Sequence, residues 1–263
     1  DFRTLGQKMF IHNIDPVLWS FGPFQIRYYG LFFVLGFVIA YFLFNYLAKR
    51  KELSITEEDI TDLFLYVIAG TILGARIFYV FVYNLTFYLD NPSEIIAIWH
   101  GGLSFHGALI GAVIAVLIFT KKKKIDFYEI ADLSVIPLAL GLALGRLGNF
   151  TNGELYGRIT DVPWAFRFPD AEGFRHPSQI YESFKNFTIF LALWAIKDKK
   201  LPKGFMFWLF VVMYSALRFI VEFFRQPDPQ VGFIIGFLTM GQVLSIVMFV
   251  VGVYFLRKVY KKS

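Results

Sequence analysis

The chain has 263 residues with a formal net charge of +6, and 57% of its residues are hydrophobic while only 17% are charged. Soluble domains are roughly 45–50% apolar and about 25% charged, so this composition excludes a soluble fold. The sequence contains no cysteine, which excludes a disulfide framework, a cysteine-ligated metal site and a cysteine nucleophile within it. We attribute the basic charge to the cytoplasmic loops of a membrane protein, and we expect no nucleic-acid partner.

Seven apolar segments follow one another along the chain, each close to the roughly 20 residues that cross a bilayer. They cover residues 30–48, 60–83, 105–120, 130–150, 178–196, 204–224 and 233–257. Charged or Pro- and Gly-rich connectors separate the segments, because such residues end helices. We therefore expect an all-α integral membrane protein with about seven transmembrane helices. We expect these helices to form a single catalytic domain over residues 1–263.

The basic residues of the connectors indicate how the chain is oriented. Residues 1–8 show no sign of a removable signal peptide, and we expect them to be an expression remnant. The connectors after the first, third, fifth and seventh segments hold most of the 26 Lys and Arg residues. Since cytoplasmic loops carry the Lys and Arg excess, we expect the N-terminus outside and the C-terminus in the cytoplasm. The long connectors 84–104 and 151–177 then lie on the outer side.

Four basic side chains lie inside the apolar segments, where an ionisable group costs roughly 2.5–3.5 kcal/mol on insertion scales. They are Arg76, Arg146, Lys185 and Arg218. At about 1.5 Å per residue, the three arginines reach a similar depth in the outer half of the bilayer. Local pairing with Glu154 and Glu222 is the structural alternative, but two carboxylates do not neutralise three guanidinium groups. The guanidinium fork suits phosphate, so we favour a bound anion such as a phospholipid head group.

Two histidines lie in the run 100–107, which leads into the third segment. Their spacing matches no zinc motif and no third ligand is close in sequence, so we expect no metal and no cofactor. The flanking glycines allow the backbone to approach a ligand, and imidazole is the commonest general base. We therefore expect a catalytic or substrate-binding role for His106, with structural hydrogen bonding as the alternative. For His100 we expect a structural role.

The densest polar motif closes the fourth segment, over residues 145–158. It combines Asn149, Asn152 and Glu154 with two arginines and four glycines, among them Gly157. Each of these polar groups needs a partner in a dry environment, so we interpret the motif as a lining for polar head groups. Tyr29 and Tyr214 lie near other outer helix ends, where they fit either an aromatic belt or the site itself.

The run Gly-Arg-x-Gly-Asn-Phe-x-Asn-Gly-Glu-x-x-Gly at 145–157 resembles the signature of the prolipoprotein diacylglyceryl transferase family. The family's other motifs are matched in the same order, from about residue 9 to the C-terminal tail, by residues 28–30, 74–76, 100–107, 176–182 and 218–228. The resemblance implies seven transmembrane helices with the N-terminus outside. It also implies a place in the bacterial cytoplasmic (inner) membrane, with the active site towards the periplasmic or outer face.

The resemblance further implies a reaction and its substrates. An sn-1,2-diacylglyceryl group passes from phosphatidylglycerol to the lipobox cysteine in the signal peptide of a preprolipoprotein. A thioether forms and glycerol 1-phosphate is released, in the first step of lipoprotein maturation. By the same resemblance, Arg146 and Arg218 are the essential arginines near the phosphate. Other matched positions are Tyr29, His106, Asn149, Glu154, Gly157, Tyr214 and Glu222, to which we add Arg76 and Asn152 as substrate-binding candidates.

These residues suggest a mechanism in which the substrate supplies the nucleophile. A free thiol has a pKa of roughly 8.5 and reacts as the thiolate. His106 would deprotonate the lipobox cysteine, which attacks the glyceryl C3 of the lipid; alternatively, the arginines alone activate the thiol. Preorganised arginines would stabilise the charge that grows on the leaving phosphate monoester.

Two other classes of protein are open at this point. Arginines inside a helical bundle are also typical of an anion transporter or channel, which predicts inverted repeats with paired broken helices. The two halves of the sequence show no such symmetry. A non-catalytic scaffold is the other alternative, and it leaves the concentration of Gly, Asn, Glu and Arg on the outer side unexplained.

Overall fold

The computed structural model describes residues 10–22, 24–227, 233–236 and 238–261. The segment 1–8, which we expect to be an expression remnant, lies outside the described residues. So do Asp228 in the motif at 218–228 and Lys262 in the basic C-terminal tail.

Most of the described chain is helical, as the sequence predicts. The α-helices are α1 (Tyr28–Arg50), α2 (Glu57–Phe78), α3 (Leu85–Asp90), α4 (Phe105–Lys123), α5 (Phe127–Thr151), α6 (Ser178–Ile196), α7 (Phe205–Val221) and α8 (Met240–Lys261). A π-helical turn, Tyr79–Tyr83, continues α2, and two 3₁₀ turns, Pro92–Ile96 and Ile98–His100, precede α4.

Five helices in the described part of the chain are long and apolar enough to cross a membrane. They are α1, α2 together with its π-helical turn, α4, α5 and α8. Large apolar side chains are exposed along them, such as Phe42 on α1 and Val250 on α8. An exposed apolar surface of this extent is typical of helices that contact lipid. The fold is therefore that of a multi-pass helical membrane protein.

Helices α6 and α7 differ from these five. Helix α7 is apolar but has only 17 residues. Helix α6 has 19 residues, and its buried side chains are mostly polar or charged. The interior face of α6 is therefore mainly polar and charged, unlike an apolar packing surface.

Short strands are the main departure from an all-helical chain. Strand β1 (Phe10–Ile11) pairs in parallel with β4 (Phe166–Arg167), and β2 (Val17–Phe21) forms an antiparallel hairpin with β3 (Phe24–Arg27). Strand β5 (Phe233–Ile235) pairs with β6 (Leu238–Thr239). The helix predicted over 233–257 therefore begins only at Met240, because the residues before it form this hairpin.

The chain divides into two compact units. The first contains the residues up to Phe44 and from Asp132 onward, and the second contains Asn45–Ala131. In the second unit, α2 begins with a capping box in which Thr56 and Asp59 satisfy each other's backbone N–H groups. Ser104 is the N-cap of α4, and its Oγ accepts a hydrogen bond from Gly107 N.

Glycines join α2 and α4 in the second unit. Gly70 and Gly74 on α2 face Gly107 and Gly111 on α4, and each pair has the Gly-x-x-x-Gly spacing. A Cβ atom added to any of the four would lie under 3.0 Å from backbone of the facing helix. Such spacing lets helix backbones approach closely in membranes, where van der Waals packing drives association.

We expect Gly111→Ala to destabilise the protein by about 1–3 kcal/mol, because its new methyl group would overlap the backbone of Gly70. The matched control is Gly141→Ala on α5, where a Cβ atom meets nothing within 4 Å. Unfolding of the purified proteins in detergent would measure the difference. Equal stability of the two variants would contradict the close packing of α2 and α4.

Candidate active site

A fully buried carboxylate, that of Glu182 on α6, lies among three cations of the first unit. Lys185 Nζ lies 2.8 Å from Glu182 Oε2 and Arg146 Nε lies 3.9 Å from the same oxygen, while Arg218 Nη1 donates to Oε1. Glu182 and Lys185 are three residues apart and so share one face of α6. The arginines come from α5 and α7. One carboxylate thus draws together charges from three helices.

A second carboxylate, that of Glu222, lies at the end of α7. Arg218 Nη2 is 2.7 Å from Glu222 Oε2 as an ion pair, and Arg225 Nε is 3.4 Å from the same oxygen. Thr239 Oγ1 donates a 3.0 Å hydrogen bond to Oε1. Gly241, in the first turn of α8, contacts this carboxylate so closely that a Cβ atom would lie 2.6 Å from Oε1. Arg218 therefore joins the two carboxylates.

We call Arg146, Glu182, Lys185, Arg218, Glu222 and Arg225 the charge cluster. Its contacts bring four cations together with two carboxylates. Burial, together with the nearby positive charges of Arg218 and Arg146, lowers the pKa of Arg225 from its ordinary value. Arginine nevertheless stays charged, so the cluster carries an excess of positive charge in a water-poor place. Such an excess calls for an anionic ligand.

Amide side chains extend the cluster from Arg146 towards Glu154. Arg146 Nη1 donates to Asn149 Oδ1 at 3.4 Å, and Asn149 Nδ2 donates to Glu154 Oε1 at 2.8 Å. Asn152 Nδ2 contacts the same carboxylate oxygen at 3.4 Å. The backbone of Glu154 is fixed in turn, because its carbonyl accepts a 2.5 Å hydrogen bond from Gln179 Nε2. Asn149 therefore links Arg146 to Glu154, whereas the sequence analysis considered direct pairing of Arg146 with Glu154.

Gly157 contributes backbone to the site. Its N–H donates to the His176 carbonyl at 2.9 Å, and it forms a β-bridge with Arg225. A Cβ atom at Gly157 would overlap the Phe224 carbonyl and the His176 side chain. Next to it, Arg158 Nε donates to the Arg225 carbonyl at 2.9 Å. The glycine thus lets this connector run close to the backbone of Arg225.

The two candidate tyrosines have separate surroundings in the first unit. Lys185 Nζ lies 4.0 Å from the centre of the Tyr214 ring, a cation–π contact that brings Tyr214 to the charge cluster. Tyr29 packs against Gly148, where a Cβ atom would lie 3.0 Å from the tyrosine ring. Gly148 directly precedes Asn149, so Tyr29 lies beside the helix end that carries the amides.

Arg76 belongs to the second unit and is buried there. Its Nε donates to the Ile95 carbonyl at 2.9 Å. Its Nη1 donates to the carbonyls of Gly101 and Gly102, at 2.5 and 2.9 Å. Its Nη2 donates to those of Glu94 and Ala97, at 2.5 and 3.1 Å. An arginine has five N–H donors, and in this structure all five of Arg76 are used by backbone.

His106 also belongs to the second unit, in the first turn of α4. Its side chain is exposed and its ring lies edge-on to that of Phe105, with the ring centres 5.9 Å apart. Two residues earlier, Ser104 is fixed by the hydrogen bond of its N–H to the Ala75 carbonyl at 3.0 Å. An exposed imidazole on a fixed helix end is accessible to a substrate proton.

The other three histidines have structural surroundings. His12 Nε2 lies 2.7 Å from the Phe150 carbonyl, and His100 Nδ1 lies 2.7 Å from Glu94 Oε2. His176 Nδ1 lies 3.1 Å from the Tyr181 hydroxyl, and burial lowers the pKa of this imidazole. Within the described residues, no three His, Asp or Glu side chains are grouped as metal ligands.

Three residues of the charge cluster were not among the site residues predicted from the sequence. Lys185 was recognised as a charge inside a helix, and Arg225 and Glu182 appeared only as parts of the motifs at 218–228 and 176–182. Glu182 was not given a role, although an ionisable residue within an apolar segment is the same signal that marked the arginines. Applying that rule to acids as well as bases would have found the centre of the cluster.

The fold and the cluster together define a multi-pass membrane protein with a buried, positively charged site, and comparisons with known proteins agree with that class. The family description prolipoprotein diacylglyceryl transferase matches residues 16–258. The chain belongs to this family.

Three relatives bear the name phosphatidylglycerol–prolipoprotein diacylglyceryl transferase. The protein of Geobacter sulfurreducens is 46% identical over 242 residues, which cover 91% of this chain and 93% of the relative. That of Desulfotalea psychrophila is 46% identical over 247 residues, covering 91% of each chain. That of Vibrio atlanticus is 43% identical over 254 residues, covering 95% of this chain and 93% of the relative.

We expect Glu182→Gln to destabilise the folded protein by about 3–5 kcal/mol, because it leaves buried cations without their carboxylate. Adding Lys185→Met should restore part of the loss, since one uncompensated charge is then removed. Unfolding of the purified variants in detergent measures both effects. The matched control is Glu58→Gln, at an exposed carboxylate. If Glu182→Gln were as stable as this control, Glu182 would not be the centre of the cluster.

Proposed function

We propose that the chain transfers the sn-1,2-diacylglyceryl group of phosphatidylglycerol to the lipobox cysteine thiol of a preprolipoprotein. The observation that carries the proposal is the buried charge cluster, which holds more cations than carboxylates inside an apolar helical protein. A phospholipid phosphate supplies the missing negative charge, and its acyl chains suit the surrounding lipid. Membership of the family supports the same substrates, because its relatives are named for them.

The proposal includes a topology. The chain forms a single catalytic domain of seven transmembrane helices, with the N-terminus outside and the C-terminus in the cytoplasm. The excess of Lys and Arg in alternate connectors supports this orientation. The membrane is the bacterial inner membrane, the active site faces its outer side, and nucleic acid is not a partner. Helices α6 and α7 complete the seven, and their polar face lines the site instead of contacting lipid.

The phosphate is bound by Arg146 and Arg218. Glu182 keeps the two guanidinium groups near one point, and Glu222 fixes the other end of Arg218. When the bond between glyceryl C3 and the phosphate oxygen breaks, the leaving group becomes a phosphate monoester and gains negative charge. Guanidinium groups that are already held in place stabilise this charge without reorganising. The released product is glycerol 1-phosphate.

The nucleophile is the lipobox thiol of the protein substrate. His106 accepts the thiol proton, the sulfur forms a bond to glyceryl C3, and the electron pair of the broken C–O bond leaves with the phosphate. The exposed position of His106 supports this role, because the imidazole is open to a substrate. No cysteine of the chain and no cofactor takes part.

The remaining site residues bind and orient the lipid head group. Asn149, Asn152 and Glu154 offer amide and carboxylate groups beside Arg146. Tyr214 shields Lys185, Tyr29 borders the amide-bearing end of α5, and Gly157 keeps the neighbouring connector close. These contacts support a place for each of these groups around the arginines that bind the phosphate.

The direct test is to incubate the purified protein with phosphatidylglycerol and a lipobox peptide. We expect a thioether-linked diacylglyceryl peptide and glycerol phosphate in equal amounts. A Cys→Ser peptide is the control for thiol attack. Movement of anions across vesicles without any transfer would indicate a transporter, and neither activity would indicate a scaffold; both results contradict the proposal.

We expect Arg146→Gln and Arg218→Gln each to lower kcat/KM by about 100-fold or more, since each removes a donor that stabilises the leaving group. The control is Arg257→Gln, at an exposed arginine near the C-terminus. Both the insertion of each variant in the membrane and its rate of transfer should be measured. Near-normal turnover in either site variant would contradict the phosphate-binding role.

We expect His106→Gln to lower kcat by roughly 100- to 10,000-fold, as is typical for loss of a general base. Raising the pH should reduce this loss, because more of the substrate thiol is then ionised without help. Rates of transfer between pH 6 and 9 provide the test. Full activity of the variant at neutral pH would show that the arginines alone activate the thiol.

A further inference from the structure

All five donors of Arg76 bind carbonyls of one segment, residues 94–102. The guanidinium group is buried, and its central carbon lies 5.1 Å from the centre of the Tyr88 ring. A guanidinium group bound in this way has no donor left for a phosphate. Removing Arg76 would take a donor away from five carbonyls. Those of Glu94 and Ala97 keep a backbone N–H partner, while the loss at Ile95, Gly101 and Gly102 carries a desolvation cost wherever the carbonyl stays buried.

The segment that Arg76 binds leads directly into α4. It includes the end of the first 3₁₀ turn and all of the second, and Ser104, the N-cap of α4, follows shortly after it, two residues before His106. Gly102 is held tightly, because a Cβ atom there would lie 2.7 Å from Arg76 Nη1 and 2.8 Å from Tyr79 Cε1. Its φ of +74° also favours glycine. Arg76 and Gly102 therefore together determine where the segment places the start of α4.

We infer that Arg76 is a positioning residue, which holds residues 94–102 and thereby sets the place of His106 for the transfer reaction. This inference rests on the proposed function, in which His106 accepts the thiol proton. Under this inference Arg76 does not bind the lipid phosphate, whereas the sequence analysis made it a substrate-binding candidate. A displacement of about 1 Å at a reacting group can slow a reaction by about 100-fold, so an indirect role is compatible with a large effect on rate.

The test compares Arg76→Gln, Arg76→Lys and Gly102→Ala with the wild-type protein. We expect Arg76→Gln to lower kcat by about 100-fold while KM for phosphatidylglycerol changes little. Arg76→Lys should rescue little, because a single ammonium nitrogen cannot reach carbonyls spread around a planar fork. Gly102→Ala should show the same loss of kcat, since it displaces the segment while Arg76 is retained. Arg257→Gln is the unaffected control.

A double-variant cycle separates positioning of His106 from general support of the fold. In the His106→Gln background, Arg76→Gln should have little further effect on kcat, because residues that act through one another are not additive. Independent, multiplicative losses would overturn the inference. Where His106→Gln has no measurable turnover, the comparison of kcat and KM decides: a rise in KM with unchanged kcat would make Arg76 a phosphate ligand instead.

Hydrogen exchange provides the structural readout. Arg76→Gln should lose protection over residues 94–108, while the amides of α2 before Arg76 stay protected. If neither Arg76 variant folds, Gly102→Ala carries the same test, and normal kcat in that variant would overturn the inference. Wild-type turnover in the same assay distinguishes the two proposals: its absence contradicts the transfer reaction itself, whereas its presence with additive losses contradicts only the role of Arg76.

Discussion

The structure of the first unit depends on one buried carboxylate, that of Glu182. Its charge could not be tolerated alone in an apolar helical interior, and neither could those of Arg146, Lys185 and Arg218 around it. Pairing with one another neutralises most of these buried charges, and it joins α5, α6 and α7 at Glu182. It does not neutralise all of them, because cations outnumber carboxylates. The same charges that stabilise the unit therefore also prepare it for an anionic ligand.

The two units hold their buried arginines in different ways, by ion pairs in the first and by hydrogen bonds to backbone in the second. In the first unit, charged side chains neutralise one another and leave an excess of positive charge for a phosphate. In the second unit, Arg76 binds backbone carbonyls near the start of α4, and no carboxylate among the described residues is paired with it. In our proposals, the guanidinium groups of Arg146 and Arg218 bind a ligand, whereas that of Arg76 positions backbone. Which role a guanidinium group takes depends on how many of its donors the fold already uses.

The sequence predicts the helices well, and three of its candidate site residues, Arg146, Arg218 and Glu222, lie in the charge cluster. Hydropathy found every long helix of the described residues, but it could not distinguish an apolar helix from an apolar hairpin, so strands β5 and β6 were predicted as helix. The rule that charges inside a span are functional singled out Arg146 and Arg218, which the structure brings to the charge cluster. The same rule singled out Arg76, but no sequence pattern reports that five backbone carbonyls 18 to 26 residues away accept hydrogen bonds from it. Glu182 was missed because the rule was applied to bases alone.

The central claim is that the charge cluster binds the phosphate of phosphatidylglycerol. An experimental structure of the protein in lipid nanodiscs that contain phosphatidylglycerol tests it most directly. The account predicts that the lipid phosphate lies within hydrogen-bonding distance, about 3 Å, of guanidinium nitrogens of both Arg146 and Arg218. Glu182 should remain paired with them. A head group bound elsewhere, with the cluster unchanged and without an anion, would contradict the account.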